Sequence, residues 1–93
     1  MAITIEHDQE EELFYFEEDE QQGELKYYLK DGVMDMVHTG VPYEMQGNGY
    51  GTQLIEAALK FAKEKGYKII PSCPFVEEYI EKNPESASLV AKS

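Results

Sequence analysis

The chain lacks a second cysteine, a long apolar run and a signal-like start, and each absence narrows what it can be. Cys73 is the only cysteine, so no internal disulfide forms and nothing indicates an oxidising compartment. No stretch approaches the roughly 18 apolar residues of a membrane helix. Residues 1–12 lack the charged and then apolar pattern of a signal peptide. We therefore expect a soluble, cytoplasmic protein.

Basic side chains are also scarce. Lys and Arg number 8 against 19 Asp and Glu, which gives a net charge of −11. Nucleic acids and anionic membranes are bound through basic surfaces, so we expect neither as the main partner. The acidity is consistent with solubility alone or with a preference for a cationic substrate such as an amine.

Neither an internal repeat nor a low-complexity linker divides the 93 residues. A chain of this length forms one hydrophobic core, because chains split into several domains only at greater length. We predict a single domain over residues 1–93, and we expect a monomer. Its parts are antiparallel strands in 1–39, a loop in 40–52 and a helix–strand–helix segment in 53–84.

Alternating apolar and polar residues predict a meander of four strands in the first forty residues. The first three strands cover residues 2–7, 13–17 and 24–30. Asp31-Gly32 then predicts a hairpin turn, because both central positions of such a turn need a positive φ. Residues 33–39 form the returning strand.

A helical period replaces this alternation from Tyr50 onward. Apolar residues recur at helical spacing as far as Ala62, and Gly66 ends the helix. A short strand over 67–70 follows, and Pro74 suits the first position of a second helix that ends at Lys82. The order β-β-β-β-α-β-α predicts an α/β (α+β) fold with a mixed sheet, whose last two strands are parallel through a right-handed crossover.

The residues between the fourth strand and the first helix favour anion binding. Several glycines close together let backbone N–H groups converge on one anion, and the helix N-terminus adds partial positive charge. The spacing fits neither a Walker A loop nor a dinucleotide fingerprint. A flexible turn without a ligand is the alternative. The candidate diphosphate-binding residues are Gln46, Gly47, Asn48, Gly49, Tyr50, Gly51 and Thr52.

Gln46-x-x-Gly49-x-Gly51 resembles the Q/R-x-x-G-x-G/A motif of the GNAT acyltransferases, in which this loop holds the diphosphate of acetyl-CoA. Residues 37–84, about half of the chain, also resemble a family of minimal GNAT-like proteins. The matching segments are His38-Thr39-Gly40-Val41-Pro42, the glycine loop and Pro71-Ser72-Cys73-Pro74-Phe75-Val76. The resemblance implies a GNAT fold, acetyl-CoA as cofactor, and Thr39 and Val41 as further contacts of the cofactor.

Two positions depart from the family pattern. The family more often has an acidic residue where Gly40 stands and an arginine where Gln46 stands. Loss of the arginine removes one positive charge beside the diphosphate. We still expect binding, because each hydrogen bond to a charged group contributes roughly 1.5–3 kcal/mol and several backbone donors converge here.

Three side chains are candidates for catalysis. Cys73 precedes the second helix, where the helix dipole favours a thiolate, and the resemblance points to it as an acyl acceptor; an inert buried thiol is the alternative. His38 is expected on the same strand face as Met34 and Met36, as a general base or a structural residue. Tyr79 lies on the helix that carries a tyrosine acid in larger GNAT enzymes, or it packs in the core. No group has metal-ligand spacing.

Three functions remain open at this stage. The first is an N-acetyltransferase that moves an acetyl group from acetyl-CoA to an unidentified amine. The second is a non-catalytic module that binds or senses acyl-CoA, since a short chain leaves little room for an acceptor pocket. The third is an interaction domain whose acidic, tyrosine-rich strands bind a basic partner.

Overall fold

A computed structural model describes residues 3–18, 20–47 and 49–91 as one five-stranded sheet with two helices. The strands are β1 (Glu6–Asp8), β2 (Leu13–Glu18), β3 (Gln21–Lys30), β4 (Val33–Gly40) and β5 (Lys68–Ile70). The helices are α1 (Tyr50–Lys65) and α2 (Pro74–Lys82). The strands follow chain order across the sheet; β1 to β4 are antiparallel and β5 is parallel to β4. The predicted mixed sheet is confirmed.

One face of the sheet carries the whole hydrophobic core. The buried side chains of the sheet are Phe14, Phe16, Leu25, Tyr27, Met34, Met36 and Ile69. The helices contribute Leu54, Ile55, Ala58, Leu59, Ala62, Val76 and Ile80. Full burial of one such large apolar side chain contributes about 1.5–3 kcal/mol, so this face holds the fold together. On the opposite face, no side chain within the described residues is buried.

An extra residue in β4 reverses which side chains reach the core. Lys26 pairs with His38 and Tyr27 pairs with Met36, so Val37 is left over as a β-bulge. Beyond the bulge, His38 lies on the exposed face, and Thr39 lies on the helix side. The expectation that His38 shares a face with Met36 is therefore wrong, because one inserted residue shifts the alternation.

Other boundaries differ by a few residues. β1 begins at Glu6 rather than at residue 2, although Ile3 and Ile5 still pack against the core. Helix α1 begins at Tyr50, so the first helical turn includes residues 50–52 of the predicted loop. The N-cap is Gly49, which makes no side-chain capping bond, and this left the start without a clear sequence marker.

The end of the described chain packs against the outer edge of the sheet. A 3₁₀ helix, Pro84–Leu89, precedes it. The Ala91 N–H donates to the Ile69 carbonyl at 2.8 Å, and Val90 forms a parallel bridge with Ile69. This segment is thus docked on the sheet and covers the edge of β5.

His7 is the one histidine that packs into the described core. Its ring stacks on Phe14 with centroids 3.9 Å apart and meets the edge of Phe61 at 4.5 Å. Its Nε2 is hydrogen-bonded to the Tyr27 hydroxyl at 2.7 Å. Burial raises the pKa of Tyr27 to about 12. Burial lowers the pKa of His7, and the Asp8 carboxylate offsets part of that effect.

We predict that His7 makes the fold less stable in mild acid. Because its pKa is lower in the folded state, the unfolded chain takes up the proton first as pH falls below about 6.5. Urea unfolding of wild type and His7→Phe at pH about 7.5 and about 5.5 measures this. Wild type should lose more stability between the two pH values than the variant does. The exposed His38→Gln is the control and should lose as much as wild type; equal losses in all three proteins contradict the prediction.

Candidate functional site

A cleft of about 460 Å³ opens at the N-terminal end of α1. It brings together eight of the nine predicted cofactor residues; the ninth, Asn48, lies outside the described residues. Met45 and Phe75 complete the lining. The predicted residues that line it are Thr39, Val41, Gln46, Gly47, Gly49, Tyr50, Gly51 and Thr52.

The separation of two parallel strands creates one wall of this cleft. Asp35 pairs with Ile70, and the Cys73 N–H donates to the Met36 carbonyl at 2.9 Å. Past Met36, β4 continues to Gly40 paired only with β3 within the described part of the chain. The edge of β4 that faces the start of α2 therefore offers backbone groups to a guest.

The glycine loop and the helix N-terminus form the second wall. Gly47 and Gly49 have φ angles of 89° and 77°, which most other residues avoid. The Gln53 N–H donates to the Gly49 carbonyl at 3.0 Å, so the amides before it belong to the open first turn of α1. That turn contains no acidic residue. The partial positive charge of the helix is thus not neutralised by its own side chains.

Gly51 allows the two helices to approach each other. A Cβ atom at this position would lie 2.4 Å from Phe75 Cε2 and 3.5 Å from Val41 Cγ2. The Phe75 ring therefore lies directly over the first turn of α1. At 42% exposure, Phe75 also forms an apolar rim on the cleft.

No lysine lines the cleft among the described residues, and the sequence has no arginine. Gln46, where the family more often has arginine, donates from Nε2 to the Val41 carbonyl at 3.2 Å. This bond closes the turn that contains the 3₁₀ helix Tyr43–Met45. The groups that this cleft offers to an anion are backbone amides and the helix dipole rather than charged side chains.

Cys73 lies beside the cleft as the N-cap of α2, as the sequence predicts. Its side chain is 7% exposed, and Sγ lies 3.6 Å from Thr39 Oγ1. Burial raises the pKa of the thiol, but hydrogen bonds with the Thr39 side chain and with the Val76 and Phe75 amides lower it. The balance is a lowered pKa, which favours the reactive thiolate.

None of the three catalytic candidates is a lining residue of the cleft, and only Cys73 contacts one, Thr39. His38 is exposed and faces away from the helices, as a result of the bulge. The Tyr79 hydroxyl donates to Glu56 Oε2 at 3.0 Å and so joins α2 to α1. Burial and this bond raise the pKa of Tyr79, which makes it a weaker acid. Neither position supports the proton transfer considered from the sequence.

Sequence reasoning missed two lining residues. Phe75 was part of the matching Pro-x-Cys-Pro-Phe-Val segment, so its position was marked although its role was not. Met45 is buried on the 3₁₀ helix, and nothing in its sequence context indicated this.

The described residues contain no cluster of His, Cys, Asp and Glu that could hold a metal ion. Among them, too, no helix is long and apolar enough to cross a membrane.

Comparison with known families agrees with this geometry. The sequence profile of the family described as GCN5-related N-acetyl-transferase matches residues 12–89. A solved structure of a GCN5-like protein from Staphylococcus aureus, described as a candidate N-acetyltransferase, is similar with a TM-score of 0.76. It is 30% identical, and the match covers 98% of this chain and 90% of that one.

Curated relatives carry the name Protein NATD1, which states no activity. The mouse protein is 31% identical over 85 residues, covering 88% of this chain and 77% of the relative. The human and chicken proteins are each 33% identical over 60 residues, or 64% of this chain. The match spans about half of their length, at 53% and 54%.

We predict that Thr39 helps to lower the pKa of the Cys73 thiol. Thr39→Val keeps the side-chain shape but removes the hydroxyl, so the pKa of Cys73 should rise and alkylation at neutral pH should slow. The measurement is the pH dependence of the alkylation rate by iodoacetamide. Thr52→Val is the control, because it makes the same change in the same cleft at a residue without a bond to Cys73. It should leave the midpoint of the pH dependence of alkylation unchanged. Identical midpoints for wild type and Thr39→Val would refute the assignment.

Proposed function

The chain belongs to the GCN5-related N-acetyltransferase family, and from that membership we propose that it binds acetyl-CoA in the cleft and transfers the acetyl group to an amine. One observation carries the proposal most directly. The residues that the sequence marks for a diphosphate surround the N-terminus of α1 in a single cleft. The family match does not depend on this geometry, so the two arguments support each other.

The cleft residues fit a diphosphate despite the negative charge of the protein. Several amides of the loop and of the first turn of α1 are placed to donate, and each bond to a charged group contributes roughly 1.5–3 kcal/mol. Charges more than about 8 Å away are largely screened at physiological salt. The net charge of −11 therefore acts weakly at the site, whereas the helix N-terminus acts at contact distance.

The free edge of β4 suits the rest of the cofactor. Coenzyme A continues from its diphosphate into a chain of amide groups, and an extended chain can bond to a strand edge. Thr39 lies on this edge and Val41 directly follows the end of β4, and both line the cleft. Phe75 covers the opposite side with an apolar ring. The thiol end of such a chain would then be directed toward Cys73.

Acetyl-CoA supplies an activated thioester, and the chain itself needs to do little beyond positioning. Proximity and orientation contribute up to roughly 7–11 kcal/mol when the reacting groups are well aligned. The candidate nucleophile is Cys73, because its Sγ lies 3.6 Å from the hydroxyl of Thr39, a lining residue, and its pKa is lowered. In one route, Cys73 accepts the acetyl group first and then passes it to the amine. In the other, the amine attacks acetyl-CoA directly and Cys73 takes no part. The acidity of the chain favours a cationic amine as acceptor.

A non-catalytic acyl-CoA-binding module is the second candidate function. The observation that favours it is the make-up of the cleft, whose described lining contains neither histidine nor a carboxylate. His38 faces the other side of the sheet and Tyr79 is bonded to Glu56. Such a module would bind acetyl-CoA in the same way and release it unchanged.

We predict that coenzyme A binds the cleft and that Gly49 is required. Titration followed by amide NMR should shift residues 46–52 most and Thr39–Val41 less. Gly49→Ala strains a position with φ 77°, by about 1–2 kcal/mol, and should weaken binding. Gly66→Ala is the matched control at the other end of α1, with φ 75° and equally open surroundings. It should lower stability similarly and leave binding unchanged; equal effects of both variants on binding would exclude the cleft.

A second prediction separates the two routes of acetyl transfer. If Cys73 is an acyl acceptor, intact-protein mass spectrometry after exposure to acetyl-CoA should show one added acetyl group. Cys73→Ala should lose this acetyl group and keep its affinity for coenzyme A. An unmodified wild type that binds coenzyme A would rule out the covalent route and leave direct attack by the amine, or binding alone.

A further inference from the structure

The face of the sheet that points away from α1 and α2, here called the open face, has an apolar centre. The uncovered face of an antiparallel sheet is ordinarily polar. Here Tyr28 is 55% exposed and Ile70 is 41% exposed, and both flank Asp35 in one row across three strands. Leu13 and Tyr15 continue the apolar surface on β2, half-buried.

Asp35 and Lys26, the charged groups of the central strands, already have partners inside the protein, and Asp8 beside Leu13 on the same face accepts from the Glu11 N–H at 3.1 Å. The Ser72 hydroxyl donates to Asp35 Oδ1. Lys26 Nζ donates to the Glu11 carbonyl and also lies 5.0 Å from the centroid of the Tyr28 ring. Neither Asp35 nor Lys26 therefore needs a charged partner from outside, and the centre is suited to apolar contact.

Charges of opposite sign mark the two ends of the open face. Beside the β3–β4 turn, Lys30 pairs with Val33, and Val33 pairs with Lys68, so this end is basic. At the other end, Glu17 pairs with Gln22 near the β2–β3 turn, and in the next row of this face Tyr15 lies between Glu24 and Glu6. The open face thus runs from a basic end through an apolar centre to an acidic end.

Such a face is complementary to itself in one orientation. A two-fold axis that runs across the strands lays the basic end of one copy on the acidic end of the other. A two-fold axis along the strands would instead bring Lys30 against its own counterpart. Two sheets in face-to-face packing are a common arrangement, with side chains of both inner faces interleaved.

Other occupants fit less well. A strongly basic partner would meet Lys26, Lys30 and Lys68 on the same face. A nucleic acid or another polyanion would meet the acidic end and a chain with net charge −11. A small molecule needs a concave site, whereas the cleft lies on the helix side of the sheet.

We propose that the open face is the interface of a homodimer in which two sheets stack with their strands in opposite directions. Five strands about 4.8 Å apart and on average about six residues long give a face of about 490 Å² per copy. The two copies would bury on the order of 1,000 Å², near the lower limit for a specific interface. We therefore expect a weak dimer that dissociates on dilution. This proposal departs from the monomer expected from the sequence and does not depend on acetyl-CoA binding.

Sedimentation equilibrium over a concentration series at physiological salt tests the dimer. Lys30→Glu and Glu17→Lys should each weaken dimerisation by about tenfold, because an exposed ion pair contributes up to about fivefold and each substitution acts twice. The double variant should restore it, since the two charges are exchanged. The single substitutions change the net charge in opposite directions, so a general charge effect would change the two dimerisation constants in opposite senses.

Matched controls and a second readout complete the experiment. Lys60→Glu and Glu77→Lys make the same charge changes on α1 and α2 and should leave dimerisation as in wild type. Tyr28→Ser should weaken the dimer, and Tyr43→Ser, outside the open face, should not. Dilution of wild type should shift the amides of Tyr28, Asp35 and Ile70 in NMR spectra, which tests the interface without any variant.

Three results would overturn the proposal. The first is a wild type that stays monomeric at the highest concentration reached. The second is a dimer that neither Lys30→Glu nor Glu17→Lys affects, which would place the interface elsewhere. The third is a double variant as weak as the single ones, which would exclude the antiparallel arrangement of the sheets.

Discussion

One extra residue in β4, Val37, determines which side chains reach the cleft. Side chains of a strand alternate between two faces, so an inserted residue exchanges the faces of everything that follows. Thr39 thereby lies on the helix side, 3.6 Å from Cys73 Sγ, and His38 lies on the open face. The cleft is therefore lined by a hydroxyl that contacts the neighbouring thiol, whereas a regular strand would have placed an imidazole on this side.

The described lining of the cleft offers an anion no cationic side chain. The family often supplies an arginine where this chain has Gln46, and the chain contains no arginine at all. Its donors are backbone amides, which do not titrate and which substitution of a side chain does not remove. The glycines are required for different reasons, since Gly49 needs a positive φ and Gly51 makes room for Phe75. The selectivity of the site therefore depends on backbone shape.

Local patterns predicted most of the fold. The order of elements, the Asp31-Gly32 turn and Pro74 at the start of α2 all depend on neighbours in sequence, and the structure has each of them. Most of the cleft lining was also marked in the sequence, because the glycine loop is one continuous segment, whereas Met45 and Phe75 were missed. The bulge at Val37 was missed because it is defined by pairing with β3, which no periodicity within β4 reveals. The contact between Tyr79 and Glu56 was missed for the same reason, since it joins two helices.

The topology separates the folding of the scaffold from that of the cleft. Strands β1 to β4 pair with their neighbours in sequence, whereas Asp35 meets Ile70 only after the whole of α1 has formed between them. Contacts between distant residues form at a higher entropic cost, so the β4–β5 junction is the late step. Helix α2 also makes fewer contacts with the sheet than α1 does. Partial opening of the β4–β5 junction that detaches α2 would expose Cys73 while strands β1 to β4 stay paired. The thiol is therefore protected from oxidants only for as long as this junction stays closed.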